Sequence, residues 1–180
     1  MVYIFLAEGF EESEAVLPRD ILKRGGVNVK TVGVTGAAVQ SAYGLKLRAD
    51  ILASEADFKD LEAIILPGGM PGTENLAGSE AVSGFIDYCF EKGILTAAIC
   101  AAPSILGKKG LLSGKKATCY PGFEKYLTGA EICGSAVVRD GNIITSKGPG
   151  TAMDFGFEIL KYLKGETTSE SVKKGMLFGA

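Results

Sequence analysis

Short, largely apolar runs alternate along the chain with longer stretches in which apolar and polar positions recur at helical spacing. The runs are Val2 to Ala7, Val27 to Val34, Ala63 to Leu66, Ile94 to Ile99 and Asn142 to Ser146. Most are rich in strand formers and bounded by Gly or Pro, the pattern of strands buried on both faces of a sheet. Between them, Glu12 to Gly25, Ser79 to Lys92, Ala102 to Lys109 and Thr151 to Leu163 are predicted helices, with a shorter one from about Ser169 to Met176. Gly25-Gly26 and Gly93 stand where C-caps belong, Lys23 and Arg24 suit a C-terminal dipole, and Thr151 followed by Asp154 resembles a capping box after a Gly-Pro-Gly turn.

Two stretches break the alternation. Val29 to Arg48 contains short strands around Tyr43-Gly44, and Ala136 to Ser146 carries an Asp140-Gly141 turn between strand formers, a hairpin signal. Both read as antiparallel additions to a doubly wound, mostly parallel α/β sheet with helices on both faces. No repeat, flexible linker or charge block divides the chain, so residues 1–180 are read as one domain.

Composition removes several function classes. Nineteen basic and 21 acidic side chains leave a net charge of −2, which gives no electrostatic reason to expect nucleic acid or an anionic membrane as partner. No apolar run approaches the roughly 20 residues of a membrane span. Histidine is absent, which excludes Ser-His-Asp and Cys-His catalysis, imidazole metal ligation and a histidine pH switch. The cysteines Cys89, Cys100, Cys119 and Cys133 lack the CxxC pairing of metal sites, and the chain opens on the strand-like VYIFLA without a basic leader. A reducing cytoplasm is the expected setting. Neither GxGxxG nor a P-loop pattern occurs, so no nucleotide cofactor is expected, and no metal.

In a doubly wound sheet, sites form beyond the carboxyl ends of the parallel strands. Four such exits carry candidate chemistry: Gly9 to Glu14, Pro67-Gly68-Gly69, Cys100 to Pro103, and Gly148 to Thr151. Cys100 ends a buried run before small residues and a proline suited to a first helical turn, which puts its sulfur at a strand-to-helix corner. Free N–H groups and the dipole there favour thiolate over thiol. Packing as a small buried residue is the equally weighted alternative. Glu11, Glu12 and Glu14 crowd one exit, where capping explains acidic residues. Glu14 also borders Ala15, Val16 and Leu17, and a carboxyl desolvated there would hold its proton to higher pH. Gly68 and Gly69 form a tight turn or an oxyanion hole. The ATCYP segment brings Cys119 or Tyr120 to the rim, whereas Cys89 and Cys133 read as packing residues.

Taken in order and spacing, EGFEESEAVLP, ILPGGMPG, AAICAAP and TSKGPGTAMDF closely resemble the ThiJ/PfpI superfamily, in the branch of the parkinsonism-associated deglycase and glyoxalase proteins. The resemblance runs from Val2 to about Gly165. It implies a flavodoxin-like fold, a homodimer, Cys100 as nucleophile, Glu14 as its hydrogen-bonding acid, and backbone donors at Gly68, Gly69 and Ala101. Two departures qualify it. Many members have histidine where this chain has Tyr120, leaving Tyr120, with Cys119 beside it, as the candidate group to orient a carbonyl oxygen. The peptidase-like branch has histidine directly after the nucleophile, where Ala101 stands, so a cysteine protease is not expected. The expected activity is cofactor-independent glyoxalase or deglycase chemistry on methylglyoxal-type dicarbonyls or their glycated adducts. The alternative is an oxidative-stress sensor or chaperone-like protective protein using a peroxide-reactive Cys100 without turnover; a thiamine-pathway role is weaker, because no phosphate or thiazole site is visible.

Overall fold

Along the chain of the computed structural model, which describes residues 1–179, the elements run β1 (Val2–Leu6), α1 (Glu12–Arg24), β2 (Val29–Gly33), β3 (Ala38–Gln40), β4 (Lys46–Arg48), β5 (Ile51–Leu52) and β6 (Ala63–Leu66). They continue with α2 (Gly72–Ala77), α3 (Glu80–Lys92), β7 (Leu95–Ile99), α4 (Pro103–Lys108), β8 (Lys116–Ala117), β9 (Glu131–Ile132), β10 (Val137–Asp140), β11 (Ile143–Ser146), α5 (Ala152–Lys164) and α6 (Glu166–Gly175). The main sheet has seven strands in the order β10-β11-β7-β6-β1-β2-β5. Every neighbouring pair is parallel except β10 and β11. Its five middle strands, taken in chain order, follow the 2-1-3-4-5 arrangement of flavodoxin-like sheets, with the reversal between β1 and β6.

The alternation of side chains along β1 shows how the sheet builds two cores. Val2, Ile4 and Leu6 pack on one face with Ile21 and Leu22 of α1 and Phe155 and Ile159 of α5. Tyr3 and Phe5 pack on the other with Phe85 and Ile86 of α3 and Ile105 and Leu106 of α4. Each such large side chain, fully withdrawn from water, contributes about 1.5–3 kcal/mol. Helices α1 and α5 approach so closely that a Cβ on Gly156 would stand 2.8 Å from Ile21 Cδ1.

The five parallel runs and both antiparallel additions form where expected, β3 with β4 and β10 with β11. The glycine pair expected to end α1 does so, with Gly25 as C-cap and Gly26 left-handed (φ 72°). Three local features differ from the sequence reading. Thr151 stands at the N-cap of α5 but its side chain makes no capping bond: its hydroxyl turns back to the Gly148 carbonyl (2.9 Å) and to Ser146 Oγ (2.6 Å), and a 3-10 turn over Pro149–Thr151 precedes α5. Helix α6 starts at Glu166, earlier than expected, because buried Ser169 donates to the Phe157 carbonyl (3.0 Å) and ties the segment to α5. Helix α2 arises in a stretch without a strong helical pattern, held by burial of Thr73 and Leu76. Among the described residues, no helix is long and apolar enough to cross a membrane, and no cluster of three or more His, Cys, Asp or Glu side chains is arranged to hold a metal ion.

Candidate active site

The exits of β1, β6 and β7 converge at the point where strand order reverses, and they bring Glu14, Gly68 and Cys100 together. Cys100 follows the last residue of β7 and is left-handed, with φ 65°. Its N–H donates to the Ser146 carbonyl (2.9 Å), and its carbonyl accepts from the Tyr120 N–H (2.8 Å). These two bonds hold a conformation that costs a non-glycine residue on the order of 1–3 kcal/mol. The strand-to-helix corner expected from AAICAAP is thus present, and it is strained.

Glu14 lies in the first turn of α1 and is fully buried. The Gly68 N–H donates to Glu14 Oε2 (2.8 Å), while the Gly68 carbonyl accepts from the Glu11 N–H (3.0 Å). Only glycine fits between acid and thiol: a Cβ on Gly68 would stand 2.6 Å from Cys100 Cβ and 2.7 Å from Glu14 Oε2. This corrects the reading of Gly68 as an oxyanion donor, because its N–H is already committed to the acid. Glu14 Oε1 has no aligned hydrogen-bond partner.

Burial lifts the Glu14 carboxyl from 4.5 to about 7; the Gly68 N–H and the neighbouring Cys100 thiol oppose the rise, and the charge of Glu11 adds to it. The thiol goes the same way. Burial first, then the Glu14 carboxylate, push Cys100 from 9.0 up to about 12, against the Gly69 and Ala101 N–H groups, which favour the thiolate. The expected lowering by a helix terminus is therefore not found: α4 begins only at Pro103 and is six residues long. Thiolate beside carboxylic acid and thiol beside carboxylate carry the same net charge. A proton passing between sulfur and oxygen therefore leaves the charge in this dry site unchanged, and the acid can give up or take a proton near neutral pH.

Cys100 opens into a pocket of about 310 Å³ lined by Glu11, Gly69, Met70, Ala101, Tyr120 and Phe123. Tyr120 reaches this rim and is 47% exposed. Cys119 does not: it is 4% exposed, packs in the core cluster that holds Ile105 and Leu127, and its thiol is pushed up to about 11 by burial. Cys89 is a core residue, and Cys133 Sγ donates to the Glu131 carbonyl (3.7 Å). Met70 and Phe123 were not among the residues singled out from sequence; both flank glycine-proline turns, which carry no chemical signal of their own.

The fold and this site define a class of protein in which a cysteine at a strand-to-helix corner and a buried glutamate meet at the switch point of a flavodoxin-like sheet. The chain belongs to the DJ-1/PfpI family, whose model matches residues 1–162. It is 36% identical to Protein dj-1beta of Drosophila melanogaster over 97% of this chain and 95% of that protein. The crystal structure of Drosophila melanogaster DJ-1beta superposes with a TM-score of 0.95, covering 99% of this chain and 98% of that one at 35% identity. Protein DJ-1 homolog B of Arabidopsis thaliana is 41% identical over 95% of this chain, which spans 40% of that longer protein. Glutathione-independent glyoxalase DJR-1.2 of Caenorhabditis elegans is 32% identical over 93% of this chain and 90% of its own length.

Proposed function

We propose that this protein is a cofactor-independent glyoxalase, with deglycase-like action on glycated adducts, in which Cys100 is the nucleophile and Glu14 the proton carrier. The observation that carries the reading is a fully buried carboxyl holding its proton to about 7 beside a pocket-lining thiol. With methylglyoxal, the Cys100 sulfur adds to the aldehyde carbon as its proton passes to Glu14, giving a hemithioacetal whose oxygen is met by the Gly69 and Ala101 N–H groups. Glu14 returns that proton to the new hydroxyl and, now a carboxylate, moves the proton from the former aldehyde carbon to the former ketone carbon through an enediol, while the hydroxyl hydrogen passes to the neighbouring oxygen. The first carbon is oxidised to a thioester and the second reduced to an alcohol, with no external oxidant. Water cleaves the thioester, releasing lactate and restoring the thiol. The Tyr120 phenol orients the carbonyl oxygen. The glyoxalase name of the nematode relative supports this chemistry; the family resemblance supports a homodimer, checked by sedimentation, and the free cysteines support a reducing cytoplasm, checked by cell fractionation.

A second reading has its own support in the same N–H groups, which would hold the oxygens of a Cys100 sulfinate formed with two equivalents of peroxide. Steady-state methylglyoxal consumption without glutathione separates the two. Cys100→Ser is expected to lower kcat/KM by more than ~10³. Full turnover by this variant would eliminate the nucleophilic role. A gain of two oxygens confined to Cys100, in protein that consumes no dicarbonyl, would select the sensor.

A further inference from the structure

Met70 and Phe123, which line the Cys100 pocket, also line a second hollow of about 440 Å³ between α2, α4 and the turn at Glu124–Tyr126. The two spaces share those two residues as a common wall. A three-carbon oxoaldehyde is accommodated beside Cys100 alone, so the second hollow has no part in its turnover. Its lining nevertheless includes several residues that carry hydrogen-bonding groups, Thr73, Ser104, Glu74 and Lys108, together with Tyr126. Lys108 Nζ lies 4.6 Å from the centre of that ring. Thr73 is 4% exposed, and its hydroxyl is buried without a hydrogen-bond partner.

These features describe one kind of ligand. Glu74 and Lys108 bring one charge of each sign, so the hollow has no net preference for an ionised group. Carboxylate, ammonium and hydroxyls together suit a chain of hydroxyl groups, each of which both donates and accepts. The Phe123 and Tyr126 rings offer an apolar wall for the carbon–hydrogen face of such a chain. An unpaired buried hydroxyl is a standing cost that a bonding partner relieves. Helical threonine divides between two χ1 rotamers, which gives the Thr73 hydroxyl a route to the surface of the hollow.

We propose that this hollow is a second subsite that takes the polyhydroxylated tail of a sugar-derived α-oxoaldehyde whose carbonyl end meets Cys100 past the shared Met70–Phe123 wall. The proposal rests on the reading of Cys100 as carbonyl-reactive, and its test uses the full chain with two probes, methylglyoxal and the six-carbon 3-deoxyglucosone. For Thr73→Val, the ratio of kcat/KM for 3-deoxyglucosone to that for methylglyoxal is expected to fall about tenfold, the loss of one hydrogen bond. Ser104→Ala serves as a second variant if Thr73→Val does not fold, with the same direction expected. A parallel measurement needs no turnover: the concentration of each dicarbonyl that halves the rate of Cys100 alkylation by iodoacetamide. If neither dicarbonyl is turned over, yet Thr73→Val selectively weakens protection by 3-deoxyglucosone, the subsite stands and the catalytic reading falls. An unchanged ratio, in turnover and protection alike, overturns the subsite while leaving the Cys100 chemistry intact. Absence of protection by either dicarbonyl overturns both. Succinic semialdehyde, with an ionised tail, is expected to be indifferent to Thr73→Val; an equal loss of its protection would refute the polyhydroxylated class.

Discussion

Replacing Glu14 with glutamine removes the buried group that titrates near neutral pH while keeping an amide oxygen to accept from the Gly68 N–H. In the folded chain the carboxyl holds its proton to about 7 against 4.5 ordinarily. Between those two values the folded state binds more protons than the unfolded one, so stability falls as pH rises through that window. Below 4.5 both states are protonated and nothing is lost. Above about 7 the loss is complete, and at about 1.36 kcal/mol for each pH unit it amounts to about 3 kcal/mol. Glu14→Gln should therefore match the wild type in acid and exceed it above neutrality by about 3 kcal/mol, roughly 6–12 °C in Tm for a chain of this size. Urea unfolding midpoints of both proteins, measured from below pH 4.5 to about pH 8, give the difference directly, because over that range the Cys100 thiol keeps its proton in both chains and groups away from Glu14 act on both alike. Parallel profiles over the whole range would refute the claim that burial lifts this carboxyl.

The same substitution removes the carboxylate that helps hold the thiol up. Glu14→Gln should therefore bring Cys100 back toward an ordinary thiol and speed its alkylation at about pH 9.5, read by peptide mapping after iodoacetamide; equal rates would count against the coupling of the two groups. Gly68→Ala forces a methyl into the space between Cys100 Cβ and Glu14 Oε2. It should destabilise the fold by about 1–3 kcal/mol and abolish dicarbonyl turnover, and thermal scanning with the steady-state assay checks both; wild-type values of each would show that the cradle is looser than described.

How much of this was legible in the sequence depends on the range of the interactions involved. The parallel strands are legible because each is a short apolar run bounded by turn residues, and both hairpins because a glycine turn lies between strand formers. Helix α2 is not, since its Gly72 start has poor propensity and burial of Thr73 and Leu76 decides it. Glu14 and Cys100 are legible as candidates from their places at strand exits, and the four motifs in register join them. Their proton affinities are another matter. The upward shift of Cys100 comes from burial first and then from the charge of a side chain 86 positions away, whereas local reasoning sees only a helix start nearby. Gly68 likewise reads locally as a turn or a donor, and its commitment to Glu14 is a contact across 54 positions. Burial, not neighbourhood in the chain, also removes Cys119 from the pocket that its neighbour Tyr120 reaches.

The absence of histidine raises the question of how this chain would move a proton near neutral pH at all. An unperturbed carboxyl is too acidic and an unperturbed thiol too basic to divide its time between states there. The fold meets that need by placement: α1 carries Glu14 beneath the exits of β1 and β6, where loss of water raises its proton affinity into the range that imidazole occupies unaided. The single N–H of Gly68 tempers the rise without cancelling it, and the missing Cβ lets the acid come close to Cys100. Restoring water to that acid, by opening the packing over it, would drop its proton affinity toward 4.5 and leave the thiol beside a permanently charged neighbour. The reactivity proposed for Cys100 is thus a property of how tightly α1 closes on the sheet, and any substitution that loosens this packing should slow the chemistry before it unfolds the chain.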